Sequence, residues 1–185
     1  GLGLLKLGEE GRVYLPDFSL EGSARKSMRQ AHHRVEPVGC VTEIVPPAEV
    51  AALLPELGRI SDAWLASKKT REKSFSLGSF SGRYLEQLSL AVVRFRTRIV
   101  AFANLWMGAP GTEMSVDLMR HGDDAPAGVM DYLFVELMAR GRAQGFQWFN
   151  LGMAPLSGLE QRALAPLWSK VGAFVFRHGD AFYNF

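Results

Sequence analysis

The chain has 185 residues, of which 48% are hydrophobic and 22% charged, with a formal net charge of +2. That make-up belongs to a globular protein and excludes a disordered or fibrous one; no run approaches the roughly 20 apolar residues that span a bilayer, and no signal-peptide pattern opens the chain. Cys40 is the single cysteine, which excludes an intrachain disulfide and a cysteine-based zinc site and suits a reducing, cytoplasmic setting.

Residues 4 to 15 mix apolar and charged side chains around Gly8 and Gly11 and read as two short strands, the tail of something larger. Ser19 is placed to cap a helix running to about Val35, with Ala24, Met28, Ala31 and Val35 as its apolar stripe. The rest of that helix carries Arg25, Lys26, Arg29, His32, His33 and Arg34 with no acid between Ala24 and Val35. This cationic face suits tRNA phosphates or anionic lipid heads, or is simply solvated.

Pro46 and Pro47 open a helical stretch with Val50, Leu53, Leu54, Ile60, Trp64 and Leu65 near the 3.6 period, and Pro55 predicts its division into two helices. Lys68, Lys69, Arg71 and Lys73 make a basic loop, and Phe75 to Gly78 reads as a short strand or turn. Three strands follow, about Leu88–Arg96, Ile99–Trp106 and Met114–Arg120, whose short connections predict an antiparallel meander. A helix from about Gly128 to Arg142, a strand Gln147–Gly152, a helix around Leu159–Val171 and a strand Phe174–Arg177 complete the order. The class is α/β (α+β), a mixed, mostly antiparallel sheet flanked by helices, and the order of elements is similar to the GNAT acyltransferase fold.

Asp117 and Arg120 stand at the end of a strand, a usual place for a ligand in a mixed sheet. A carboxylate there can take a proton or hold an amino group, and an arginine can clamp a phosphate or carboxylate, or the two can form an internal ion pair. The segment from Arg120 to Gly128 contains Asp123, Asp124 and Pro126, a poor cradle for a pyrophosphate, and this weighs against an acetyl-CoA enzyme. Asn150 ends its strand before a loop containing Ser157, where a neutral amide can orient an ester or cap the loop. His178 and Asp180 form a titratable pair near the last strand. No HExxH, P-loop or GxSxG pattern occurs, and no metal site is expected.

Several ordered runs together resemble one family: Phe18 to Gly22 with its Arg-Lys helix, Phe75 to Gly78, Ile99 to Trp106, Ser115 to Arg120, Gly128 to Leu137, Phe149 to Gly158 and His178 to Phe185. The set resembles the C-terminal domain of the aminoacyl-phosphatidylglycerol synthases, the multiple peptide resistance factors. The family's His-Gly-Glu is here His178-Gly179-Asp180, and its Gln-Gly-Leu-Arg continuation falls beyond Phe185, so the chain reads as a fragment.

The resemblance implies two tandem GNAT-like subdomains: residues 1–18 end the first, 19–44 form a basic connector, and 45–185 are the second. It implies an upstream transmembrane flippase in the parent and a place at the cytoplasmic face of the bacterial cell membrane. The implied activity is transfer of a lysyl or alanyl group from aminoacyl-tRNA, the co-substrate, to phosphatidylglycerol, with no other cofactor. Asp117, Arg120 and Asp180 would be catalytic; Asn150, His178 and Ser157 would bind substrate; Arg25, Lys26, Arg29 and Arg34 would meet tRNA or lipid phosphate. An acetyl-CoA-dependent N-acetyltransferase and a noncatalytic tRNA- or lipid-docking module are the alternatives.

Overall fold

A computed structural model describes residues 8–69, 71–72, 79–109 and 111–155. Their order is strand β1 (Gly8–Tyr14), a 3-10 turn (Ser23–Arg25), helix α1 (Lys26–Val35), strand β2 (Cys40–Val45) and helix α2 (Pro47–Ser67). Then come helix α3 (Gly82–Leu85), strands β3 (Ser89–Phe95), β4 (Arg98–Met107) and β5 (Glu113–His121), helix α4 (Val129–Ala143) and strand β6 (Trp148–Pro155). The strands form one sheet in the order β1-β6-β5-β4-β3-β2, and β2 to β5 are antiparallel throughout. This is the expected α+β class. The expected helix Leu159–Val171 and strand Phe174–Arg177 lie outside the described residues.

The described residues divide into two units, Val13–Phe149 and a second to which Gly8–Arg12 and Asn150–Pro155 belong. In the larger unit, residues of alternate parity in β3 serve two cores, as the two-residue period of a strand demands. Ala91 and Val93 join the core beneath α4, with Leu133, Leu137 and Met138. Leu90 and Val92 join the core beneath α2, with Val50, Leu57 and Ile60. The β3–β4 hairpin closes through Arg96 and Thr97, with Arg96 at φ 57° and Phe95 opposite Arg98, a positive φ that two-residue hairpin loops require.

Four sequence expectations change. Pro55 does not divide α2, which is continuous over 21 residues; Pro55 and Ala51, whose carbonyl loses its partner, are both exposed, so the orphan costs little. Ser19 does not cap α1: its Oγ accepts the Glu21 N–H, and helical structure begins only at Ser23. Ala24 of the proposed stripe is consequently exposed, while Ala31 and Val35 are buried. Strand β1 runs unbroken through Gly11, so no turn falls there, and residues 4–7 of the two expected strands lie outside the described residues. Finally, Cys40–Val45 is an edge strand paired in register with β3.

Candidate active site

The meander carries two irregularities: Val100 is an extra residue between β3 and β4, where Val93 pairs with Ala101 and Arg94 with Ile99, and the second, between β4 and β5, makes the site. On β4 and β5, Ala103 pairs with Met119 and Leu105 pairs with Val116, so Asn104 alone stands opposite both Asp117 and Leu118. One residue against two is a β-bulge, and a bulge resets which face the following side chains occupy. Val116 belongs to the core beneath α4, whereas Leu118 belongs to the core beneath α2. Strict alternation would put Asp117 and Arg120 on opposite faces; the bulge puts both on the α2 side.

Asn104 holds the bulge together. It is fully buried, and its Oδ1 accepts the backbone N–H of Asp117 at 3.2 Å and of Leu118 at 2.7 Å. These are the two amides the extra residue would otherwise leave unpaired. Its Nδ2 donates to the Tyr84 hydroxyl at 3.0 Å, and Trp106 Nε1 donates to the same oxygen at 3.0 Å. Tyr84 Oη in turn donates to Asp117 Oδ2 at 2.5 Å. Burial first, and then the hydrogen bond to Asp117, push the Tyr84 phenol above its ordinary pKa, so it is a protonated donor at neutral pH.

Arg120 stands beside this cluster with 11% of its side-chain surface exposed. Its guanidinium lies 4.1 Å from the centroid of the Trp64 ring, its Nη1 donates to the Met119 carbonyl at 2.9 Å, and its Nη2 reaches Glu72 Oε2 at 3.5 Å. Among the described residues its buried Nε has no hydrogen-bond partner. Burial lowers its pKa, opposed by Glu72 and, more weakly, by Asp117. A planar cation stacked on an aromatic face and held to Glu72 only by a long contact of 3.5 Å is suited to gripping an anionic oxygen.

The loop after β5 offers no comparable anion cradle. Gly122 N–H is spent on the Val100 carbonyl and Ala125 N–H on the Gly122 carbonyl, Pro126 has no N–H, and Asp124 pairs with Arg98 at 3.0 Å. A groove of about 350 Å³ lined by Glu56, Arg59, Ile60, Arg98 and Asp124 lies there, and it contains neither Asp117 nor Arg120.

Of the other sequence-derived positions, Asn150 is buried in the second unit, where its Nδ2 donates to Glu10 Oε1 and its Oδ1 accepts the Gly152 N–H, each at 2.8 Å. Arg29 folds back onto the carbonyls of Leu20 and Gly22, so it secures the start of α1. Lys26 and Arg34 are exposed and Arg25 partly so. Asp180, His178 and Ser157 lie outside the described residues. Sequence reasoning missed Tyr84, Asn104 and Trp106 as site residues; Asn104 alone gave a signal, a polar amide inside an apolar strand.

Comparison with known proteins bears on this arrangement. The family model for the C-terminal part of phosphatidylglycerol lysyltransferase matches residues 1–185. The chain belongs to that family. It is 39% identical to the phosphatidylglycerol lysyltransferase of Bacillus subtilis, covering 100% of this chain and 22% of the relative. It is 31% identical to that of Staphylococcus aureus strain COL, covering 97% of this chain and 21% of the relative. The C-terminal domain of a putative lysylphosphatidylglycerol synthetase from Agrobacterium fabrum superposes with a TM-score of 0.79 at 41% identity, over 98% of this chain and 54% of that one. L-PGS from Bacillus licheniformis gives a TM-score of 0.76 at 39% identity, over 92% and 53%. The chain thus spans about a fifth of the curated lysyltransferases it matches. Among the described residues no helix is long and apolar enough to cross a membrane.

Proposed function

We propose that the full-length protein transfers a lysyl group from lysyl-tRNA to a glycerol hydroxyl of phosphatidylglycerol at the cytoplasmic face of the bacterial membrane. The observation that carries this reading is the shared face of Asp117 and Arg120 in a chain of the phosphatidylglycerol lysyltransferase family. The lipid hydroxyl oxygen attacks the ester carbonyl and the tRNA ribose oxygen leaves. One C–O bond forms, one breaks, and the proton passes from the lipid hydroxyl to the ribose oxygen. No ATP enters, because the donor ester is already activated.

Asp117 holds the donor's amino group or helps to move the proton, and Arg120 holds a phosphate oxygen of lipid or tRNA. By the family resemblance Asp180 takes part in catalysis, and Asn150, His178 and Ser157 bind substrate. Lys26 and Arg34, with Arg25, meet phosphates along α1. In the same reading residues 1–18 close a preceding GNAT-like subdomain, 19–44 connect, and 45–185 form the second subdomain, downstream of a transmembrane flippase. The product replaces an anionic lipid with one of net positive charge, which lowers the attraction of cationic antimicrobial peptides.

The test is transfer of labelled lysine from lysyl-tRNA to phosphatidylglycerol vesicles by the full-length protein, with alanyl-tRNA as the second arm. Lipid-extractable label from lysyl-tRNA that falls at least a hundredfold, about 3 kcal/mol of transition-state stabilisation, in both Asp117→Asn and Arg120→Ala supports the reading. Unchanged transfer in the two variants refutes it; label from alanyl-tRNA alone changes the amino acid.

A further inference from the structure

We infer that Tyr84 is a positioning residue of the transfer site: held by Asn104 and Trp106, its hydroxyl fixes the orientation of the Asp117 carboxylate. The inference rests on the transferase reading only in giving Asp117 a role; the hydrogen-bond geometry stands without it.

A tyrosine hydroxyl has one proton to donate and two lone pairs to accept with. Asn104 Nδ2 and Trp106 Nε1, each at 3.0 Å, are both donors and fill the two lone pairs. The one proton is therefore directed to Asp117 Oδ2. Neither partner can reverse this sense: an indole N–H only donates, and Asn104 presents its Nδ2 here because its Oδ1 is occupied by the two bulge amides. The chain of constraint runs from a fully buried amide on β4, through the phenol on α3, to a carboxylate on β5. It pins the same residue at both ends, since Asn104 holds the Asp117 backbone while Tyr84 holds its side chain.

The arrangement is built for orientation more than for cohesion. Asn104 has 0% exposure among the apolar residues Ala103 and Leu105, a place where an aliphatic side chain packs at no polar cost. Retaining an amide there makes sense if the bulge and the phenol are what the site needs. The phenol fixes the direction of one Asp117 carboxylate oxygen, and a displacement of about 1 Å at a reacting group costs on the order of a hundredfold in rate.

Two measurements on Tyr84→Phe test this. In the full-length protein, kcat for lysyl transfer should fall about tenfold to a hundredfold, with KM for lysyl-tRNA and the melting temperature little changed. In Asp117→Asn the same substitution should cost nothing further, because the group it positions is gone. On the chain itself, ultraviolet pH titration of the phenolate, with Tyr84→Phe as the subtraction blank, should show Tyr84 ionising at lower pH in Asp117→Asn than in the unsubstituted chain. An unaltered titration overturns the hydrogen bond. An unchanged kcat in Tyr84→Phe, or equal losses in both backgrounds, overturns the positioning role while leaving the transferase reading standing. If Asp117→Asn alone keeps full activity, the transferase reading fails and the titration still decides the bond.

Discussion

The two faces of the sheet in the larger unit are built on different rules. Toward α4 the strands present Ala91, Val93, Val100, Ala101 and Ala103, small or branched apolar residues under a helix that contributes Leu133, Leu137 and Met138. Toward α2 they present Leu90, Val92, Phe102 and Leu118, but the same face admits Asn104, Asp117 and Arg120 at β4 and β5, with Tyr84 of α3 bonded to two of them. One face is cohesive; the other gives up apolar contact over a few residues for a fixed polar arrangement. The difference teaches that site and scaffold share strands, separated by which side of the sheet a residue faces, and that a single bulge decides this for Asp117 and Arg120.

The strongest way to break the comparison is to damage the cohesive face. Leu133→Ala removes a side chain that is 1% exposed and should cost about 2–5 kcal/mol, read as a lowered urea midpoint. Below the new transition, lysyl transfer by the full-length protein should stay within about twofold. A loss of activity as large as that of Asp117→Asn would mean the two faces are not separable. Next in size, Asn104→Ala strips the acceptor from two buried bulge amides and a donor from Tyr84, and should cost about 2–3 kcal/mol. Unlike Leu133→Ala it should also abolish transfer, so the ratio of activity loss to stability loss is the discriminating number.

These variants also mark what the sequence makes legible. The strands over Leu88–Arg96, Ile99–Trp106 and Met114–Arg120 and the helix over Gly128–Arg142 match β3, β4, β5 and α4 within one or two residues, because each has a long apolar period bounded by turn chemistry. Asp117 and Arg120 are visible as strand-end polar residues, but their common face is not. That depends on a register shift between two strands, and periodicity within one strand carries no information about its partner. Tyr84 lies on a four-residue helix with no period to detect, and its role comes from a contact 33 positions along the chain. β2 escapes for a related reason: as an edge strand it leaves Val41 62% exposed, and Thr42 and Glu43 interrupt its apolar pattern. Pro55 misleads because a helix tolerates a proline where it and the residue bearing the orphaned carbonyl are both exposed.

A smaller effect sharpens the cohesive side of the comparison. Gly128 begins α4 at φ 90°, and a Cβ there would lie 3.2 Å from that of Ala31. Gly128→Ala therefore meets both backbone strain and the approach of α1, and should cost about 1–2 kcal/mol, with transfer preserved. Gly145, at φ 82° with open space around its Cβ position, supplies the control: alanine there meets the strain alone and should cost less. Equal losses at the two positions would remove the α1–α4 approach from the account.

The smallest effect is electrostatic and distinguishes the faces by pH. Burial is the main cause that raises both Tyr84, on the site face, and Tyr132, on the helix face; Asp117 adds to the first and Glu136 to the second. A phenol whose pKa is higher folded than unfolded holds its proton more tightly in the native state. Its stabilisation is complete below the unfolded value near 10 and is lost as pH rises through the folded value. The urea midpoint of the unsubstituted chain should therefore fall as pH rises past the ordinary phenol value of about 10, and Tyr84→Phe should flatten part of that fall. Arg120, lowered by burial, contributes with the opposite sign, but it is present in both proteins and cancels in their difference. Asp117→Asn should reduce the Tyr84 share, with the burial part remaining, and leave that of Tyr132 untouched, since Asp117 is among the causes acting on the first phenol and not on the second. Equal slopes in the unsubstituted chain and Tyr84→Phe would mean that the phenol is no more protected folded than unfolded, and the site face would lose the donor on which its order depends.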